Sequence, residues 1–196
     1  MKMQSFSRHV RLLTTSAAMS LAIFASAPAF AVTPADTLVE GLAIDDIISM
    51  DPAQSFEFSG QNVINNFYDQ LVDFDPLDLK AGIKPSLAEG WEVSADGKTI
   101  TFTIRDGVKF QSGNPVRAED AAWSLQRAVK LNLSPAFILT QFGLTPENVD
   151  QMVTAEGNNV VIRLDQPYAQ SYVLNCLASN VGSVVDKETV MSHAEG

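Results

Sequence analysis

Hydrophobic and polar residues alternate most regularly in the run Thr99-Ile100-Thr101-Phe102-Thr103-Ile104. A period of two puts Ile100, Phe102 and Ile104 on one face and the three threonines on the other, the pattern of a half-buried strand. Ala95-Asp96-Gly97-Lys98 ahead of it reads as a turn in which Gly97 supplies a positive φ, so residues 91–94 are expected to be the partner strand of a hairpin. Arg105-Asp106-Gly107 turns the chain again, into a short third strand at Val108-Lys109-Phe110. Residues 111–115 break the pattern with Gly113 and Pro115. The period then lengthens to that of a helix over about 118–130, where Ala122, Leu125 and Val129 recur at three- and four-residue spacing. Glu119 and Asp120 open it and Arg127 and Lys130 close it, in accord with the helix dipole. Trp91, Phe102, Phe110 and Trp123 read as core packing.

The remaining pattern is weaker. Thr37-Leu38-Val39 opens a strand that Ala43-Ile44 extends, followed by loop through Asp45-Asp46 and Met50-Asp51-Pro52. Ser59 is the expected N-cap of a helix with Val63, Phe67 and Leu71, or Ile64, Tyr68 and Leu71, on one face. Residues 71–75 alternate as a strand, and 76–84 read as loop. Thr145-Pro146-Glu147 suits a helical first turn with Pro at its first position. Residues 149–154 and 160–164 are expected to be two strands joined through 155–159. Asp165-Gln166-Pro167 precedes a helix reaching Leu177, Ser183-Val184-Val185 is one more strand, and a last helix occupies 187–194.

Composition changes the picture at the N-terminus. Lys2, Arg8 and Arg11 precede any acidic residue, residues 12–24 are mostly apolar and small, and Ala29-Phe30-Ala31 is a small-x-small site. This is the pattern of a secretory signal peptide cut after Ala31, and its apolar core is too short to span a membrane. Without an Arg-Arg pair, export of the unfolded chain is expected, and without a cysteine after the cut a lipid anchor is not. Removal of three positive charges takes the net charge from −10 to −13 over 165 residues. So acidic a chain is a poor nucleic-acid binder. Ten acidic side chains and no Lys or Arg lie within 32–79, which reads as a solvated acidic surface rather than a cation site. The lone Cys176 allows no internal disulfide and sits in an apolar run as a small hydrophobe.

Catalytic chemistry is poorly represented. Of two histidines, His9 leaves with the signal peptide and His193 is the fourth residue from the end. No G-x-S-x-G, H-E-x-x-H, P-loop or G-x-G-x-x-G occurs. Asp73, Asp75 and Asp78 depart from a calcium loop because Pro76 intrudes and Leu77 takes the fifth position. No cofactor and no metal are therefore expected. A secreted hydrolase and a secreted interaction module are the alternatives to a binding protein.

One resemblance is specific. Pro85-x-Leu87-Ala88-Glu89-x-Trp91 is followed in order by Trp-Glu-Val-Ser, Asp-Gly-Lys-Thr, Thr-Phe, Ile-Arg-Asp-Gly-Val-Lys-Phe, Gly, Pro-Val, Ala-Glu-Asp, Trp, Ser and Arg, ending at Arg127. This succession resembles the signature region of the dipeptide- and oligopeptide-binding proteins of ABC importers, extracellular solute-binding protein family 5, and the likeness runs from Asp36 to the last residue. The resemblance implies an α/β fold, a type II periplasmic binding protein with two lobes around a cleft and a small α/β domain inserted in the first lobe. Residues 32–68 and 186–196 would then be large-lobe pieces and 69–185 the inserted domain. The chain is shorter than family members and reads as an N-terminal fragment, the charged anchors for peptide termini being expected on the second lobe.

The implied function is periplasmic capture of dipeptides or short oligopeptides and delivery to the permease subunits of an ABC transporter, by a monomer. The same resemblance allows glutathione, metal chelates, sugars or opines as the solute. In the family, the loop at 55–59 lines the cleft and pairs with the peptide backbone, which implies Phe56, Glu57 and Phe58 as ligand-binding residues. Ser179 and Asn180, where the chain returns toward the large lobe, are implied as well. Phe56 and Phe58 also fit ordinary core at i, i+2, with Glu57 pointing the opposite way in an extended segment. Where larger peptide binders of the family often carry Tyr after Ser-Pro, this chain has Ala136.

Overall fold

The computed structural model describes residues 33–194, so the expected signal peptide and its cleavage site lie outside the described residues. The chain divides into two units, 1–41 and 42–196. In the first, residues 33–41 are exposed and irregular, with a turn closed by the Thr37 N–H donating to Pro34 O at 3.0 Å. The strand expected at Thr37-Leu38-Val39 is absent, and Ala43-Ile44 in the second unit is not a strand either. No described segment offers either one a ladder, and without a partner an extended segment leaves its N–H and C=O groups to water.

The second unit begins with helix α1 (Phe58–Ile64) and two short strands, β1 (Val72–Phe74) and β2 (Ile83–Pro85). These pair antiparallel, with Asp73 opposite Lys84. The segment expected as loop through residue 84 thus ends in a strand. Three residues closing on a proline carry too short a pattern to declare themselves, and pairing with β1 supplies what periodicity does not. Helix α1 starts with Glu57 as N-cap, two residues before the expected Ser59, and it stops at Ile64. Only Ile64 of its expected apolar stripe is buried within it; Leu71 is buried beyond its end, and Phe67 is exposed.

The hairpin forms as its alternation dictates. Strands β3 (Ala88–Val93) and β4 (Thr99–Ile104) pair antiparallel, with Trp91 opposite Phe102 and Val93 opposite Ile100. Gly97 has φ +69°, as the turn requires. Ile100, Phe102 and Ile104 are all at most 1 % exposed. The expected third strand at 108–110 shrinks to a single bridge, Lys109 to Pro115, because Asp106-Gly107 and Ser112-Gly113 fold 108–116 onto itself. Its N–H groups are used locally, Phe110 to Asn114 O and Val116 to Val108 O, both at 2.9 Å.

Helix α2 (Ala118–Leu131) follows, with the Asp120 carboxylate accepting the Arg117 N–H at 3.0 Å and Asn132 ending it at φ 48°. It buries Ala121, Ala122, Leu125, Ala128 and Val129. Next come a short 3-10 turn (Ser134–Ala136), helix α3 (Phe137–Thr140) and helix α4 (Val149–Met152). Strands β5 (Val153–Glu156) and β6 (Asn159–Arg163) make a hairpin tighter than expected, turning at Gly157. Residues 149–152, expected as strand, are helical. Asn148 accepts the Thr145 N–H on its side chain and Val149 N donates to Thr145 O, so the turn at 145–148 runs on into helix. Helix α5 (Gln170–Leu177) and helix α6 (Lys187–His193) complete the unit. Between them the expected strand at 183–185 is one bridge, Ser183 to Gln70, beside a Val184 N–H to Asp69 O bond of 2.9 Å.

The main sheet is antiparallel with order β3-β4-β6-β5. Val160 lies opposite Phe102 and Ile162 opposite Ile100, so Trp91, Val93, Ile100, Phe102, Val153, Ala155, Val160 and Ile162 share one face, while Val161 lies on the other with Thr101 and Thr154. Helix α2 packs on this sheet through β5 and β6. The result is a mixed α/β layer pair in which α2, held by the sheet beneath it, becomes the fixed point to which the more irregular residues 49–70 attach.

Candidate functional site

Asp51 organises the segment that carries the expected site. Its carboxylate accepts the Ala53 N–H at 2.9 Å and its carbonyl accepts the Gln54 and Ser55 N–H groups at 2.9 and 2.8 Å, closing a turn around Pro52. The same carboxylate takes both guanidinium nitrogens of Arg127, one at 2.9 Å and one closer. Arg127 lies over the Trp123 ring at 5.9 Å, one turn back on α2. Burial pushes the Asp51 carboxyl up, but the Arg127 fork and the Ala53 N–H outweigh it and hold it below the ordinary range. Arg127 is thus not the dipole residue the sequence suggested: Lys130 occupies the last turn, and Arg127 clamps the Asp-Pro turn to α2.

From this anchor the chain reaches Ser55, which is buried, and then Phe56, Glu57 and Phe58. The Phe56 carbonyl accepts Gln61 Nε2 at 2.9 Å, and the Phe56 N–H donates to Glu57 Oε2 at 3.1 Å. Glu57 also accepts the Ser55 hydroxyl at 3.3 Å. Its carboxylate is therefore folded back onto its own segment, which replaces the simple opposite-side placement expected for an extended run. Phe56 is 43 % exposed and Phe58 92 %, so neither is core. The Phe56 ring stands edge-to-face against Phe137 at 5.5 Å between centroids.

The second expected patch adjoins the first. Asn180 is buried, and its Nδ2 donates to Gln61 O at 3.2 Å, so Gln61 links the Asn180 turn to the Phe56 carbonyl. Ser179 instead donates its hydroxyl to Cys176 O at 2.6 Å and caps the end of α5. Asn180 is thus joined to the Phe56–Phe58 loop through Gln61 while Ser179 is turned to α5; of the five, Phe56 and Phe58 are exposed, Glu57 and Ser179 half-buried and Asn180 buried. Ala136, where the family resemblance leads one to look for Tyr, is fully buried. Phe137 and Gln61 belong to the same place and carried no sequence signal: a lone Phe in a short apolar run and a Gln in a short helix have no pattern to mark them.

A separate groove of about 820 Å³ opens at the other end of α1, between Ile64, Tyr68, Phe110, Arg127, Val184 and Asp186. None of the five expected residues lines it. Burial, then the Asp51 charge, push the Tyr68 hydroxyl upward in pKa there. At its rim Asp186 caps α6, accepting Thr189 N–H at 3.0 Å, Thr189 Oγ1 at 2.7 Å, Ser112 Oγ at 2.6 Å and Asn114 Nδ2 at 3.0 Å. Partial desolvation raises this carboxyl, but the Ser112, Thr189 and Asn114 donors prevail and bring it down to about 2. A depressed carboxylate stabilises the fold above its unfolded pKa and loses that contribution as the pH falls through the folded value. Asp186→Asn, which retains a capping oxygen without the charge, is expected to melt below the unsubstituted chain at about pH 5 and together with it near pH 2. Melting curves across that range check it; a constant gap would assign the effect to shape rather than to the charge.

Comparison with known proteins fits this architecture. A family described as "Bacterial extracellular solute-binding proteins, family 5 Middle" matches residues 82–194. The chain is 30 % identical over 168 residues to the probable D,D-dipeptide-binding periplasmic protein DdpA of Escherichia coli, covering 85 % of this chain and 31 % of that protein. It is 30 % identical over 193 residues to the glutathione-binding protein GsiB of Salmonella typhimurium, covering 98 % of this chain and 34 % of that one. Among solved structures it is similar to the Escherichia coli murein tripeptide binding protein MppA, with a TM-score of 0.61 and 32 % identity over 75 % of this chain and 30 % of that one. Haemophilus influenzae OppA in complex with the peptide RPPGFSPFR has the same fold, with a TM-score of 0.65 at 24 % identity, over 75 % of this chain and 30 % of that one. The chain spans about a third of the length of the relatives it matches. Its α/β arrangement is part of the type II periplasmic-binding-protein fold, and the chain belongs to the bacterial extracellular solute-binding proteins of family 5.

Proposed function

We propose that this chain forms one wall of a peptide-binding cleft in the substrate-binding component of an ABC importer. The observation that carries the reading is the loop at Phe56 and Phe58: it exposes two aromatic rings while its backbone is tied down by Gln61, Glu57 and the Asp51 turn. A rigid, exposed aromatic surface costs little further ordering when a ligand arrives. In this reading Phe56 and Phe58 touch the ligand, and Glu57, Ser179 and Asn180 position the loop. Residues 69–185 act as the domain inserted in the first lobe, and 32–68 and 186–196 as parts of that lobe. The protein works in the periplasm after cleavage behind Ala31, as a monomer, and passes short peptides unchanged to its permease.

The named solutes of the relatives support peptides: a D,D-dipeptide, glutathione and murein tripeptide all contain amide-linked residues. A second reading, a different solute such as a metal chelate, sugar or opine, has no comparable observation in its favour. The test is an NMR titration of the ¹⁵N-labelled chain from Val32 with di- and tripeptides. One wall leaves much of a ligand in water, so weak binding is expected, with shifts confined to residues 55–61 and 179–182. Shifts only around the Arg127 groove would move the site, and silence toward every peptide would remove the function.

A further inference from the structure

We propose that Phe137, paired with Phe56, determines specificity by selecting peptides that carry an aromatic or large aliphatic side chain; this rests on the peptide-binding reading above. Phe137 opens α3, where its neighbours turn inward: Pro135 and Ala136 are buried and Leu139 is 1 % exposed. Phe137 alone in that turn faces out, 56 % exposed, and it meets Phe56 edge-to-face. Phe102 and Phe142 lie inside, at most 2 % exposed, whereas Phe58, Phe67, Phe74 and Tyr172 also reach the surface; Phe137 is set apart by its contact with the Phe56 ring. The two rings come from segments far apart in sequence, so their meeting is a product of the fold. Each has a free face beside the other, an arrangement to which a third apolar group adds by stacking or edge contact.

Electrostatics point the same way. The charged side chain on this loop is Glu57, and its Oε2 is turned onto Ser55 Oγ and the Phe56 N–H. The ion pairs among the described residues are Lys84–Asp75, Arg127–Asp51, Lys130–Asp150 and Arg163–Glu156, and none includes Phe56's neighbours Ser55 and Glu57 or Phe137's neighbours Ala136 and Ile138. The Glu57 carboxylate, which is in no ion pair among the described residues, would repel an acidic ligand side chain, and a neutral polar one would exchange water for ring faces. An apolar side chain loses no hydrogen bond on arrival and covers both rings. The Phe56 backbone is fixed from both sides by Glu57 and Gln61, so the platform exists before the ligand does.

The test uses the chain from Val32 and four tripeptides that differ only in the central residue: Phe, Leu, Ser or Glu. The unsubstituted protein is expected to bind the Phe and Leu peptides about 3–10-fold more tightly than the Ser peptide, and the Glu peptide least. Phe137→Ala should bring the Phe and Ser peptides within about two-fold of each other, and Phe137→Leu should retain part of the preference. Melting temperatures accompany each titration. Should Phe137→Ala unfold, Phe137→Leu and Phe56→Leu carry the same comparison. Peptides that bind with the same preference in protein and variants overturn this inference and leave the peptide-binding reading standing. An equal loss for all four peptides also overturns it, since that marks a structural role. No binding of any peptide by the unsubstituted protein removes both.

Discussion

Replacement of Phe102 by alanine is expected to lower stability by about 3–5 kcal/mol, the usual range for a fully buried phenylalanine. Phe102 has no exposed surface and sits in the middle of β4, the strand paired on one side with β3 and on the other with β6. Its ring lies 6.4 Å from that of Trp91, its neighbour across β3, and Val160 is its partner across β6. Both partners are fixed by ladders, and α2 closes the same core from above, so the cavity left by the ring has little means of collapsing. For a domain of this size the loss corresponds to a fall in melting temperature of about 6–20 °C. Urea unfolding gives the free energy directly. The effect should be on folding, because the ring is wholly buried in the core and has no exposed surface to meet a ligand; an unchanged melting temperature with altered peptide preference would contradict it.

Gly182→Ala is the second large effect, and it joins stability to the site. A Cβ at Gly182 would lie 2.1 Å from the Leu177 carbonyl oxygen and 2.9 Å from its carbon. These are backbone atoms at the end of α5 and cannot rotate away as a side-chain tip would. Gly182 has no left-handed φ, so the requirement for glycine here is close approach and not conformation. The 3-10 turn Asn180–Gly182 must move, and its Gly182 N–H to Ser179 O bond of 2.8 Å with it. Overpacking of this kind costs about 1–3 kcal/mol and at times more. Displacement of the turn also breaks the Asn180 bond to Gln61 O, so amide resonances at 56–61 should shift in the variant without any ligand. Gly90→Ala is the control: nothing lies within 4 Å of its Cβ, and a change within about 0.5 kcal/mol is expected. Equal stability of the two variants would show that the turn at 180–182 yields freely.

Local pattern determined much of this molecule. The alternation at 99–104 and the three- and four-residue spacing at 118–130 appear as β4 and α2 almost residue for residue, because a strand's or helix's buried face is written in its own period. Gly97 took the positive φ its turn required. The ordered residues at 85–127 were enough to recognise the family by resemblance, since several spaced elements had to agree at once.

Tertiary structure decided what periodicity cannot carry. Residues 37–39, with strand-like composition, stayed irregular for want of a ladder, while the unpatterned residues 83–85 became a strand because β1 lay beside them. Residues 108–110 and 183–185 kept only single bridges, their hydrogen bonds taken by nearer partners. In the candidate site the sequence pointed to Phe56, Glu57, Phe58, Ser179 and Asn180 as a family likeness. Only the fold turned Glu57 back on its own backbone, joined Asn180 to Phe56 through Gln61, clamped Asp51 to Arg127 across 76 residues, and set Phe137 against Phe56. The Asn180, Arg127 and Phe137 contacts join segments whose separation along the chain bears no relation to either one's own pattern, so their chemistry exists only once the sheet and α2 have fixed where the loops begin and end.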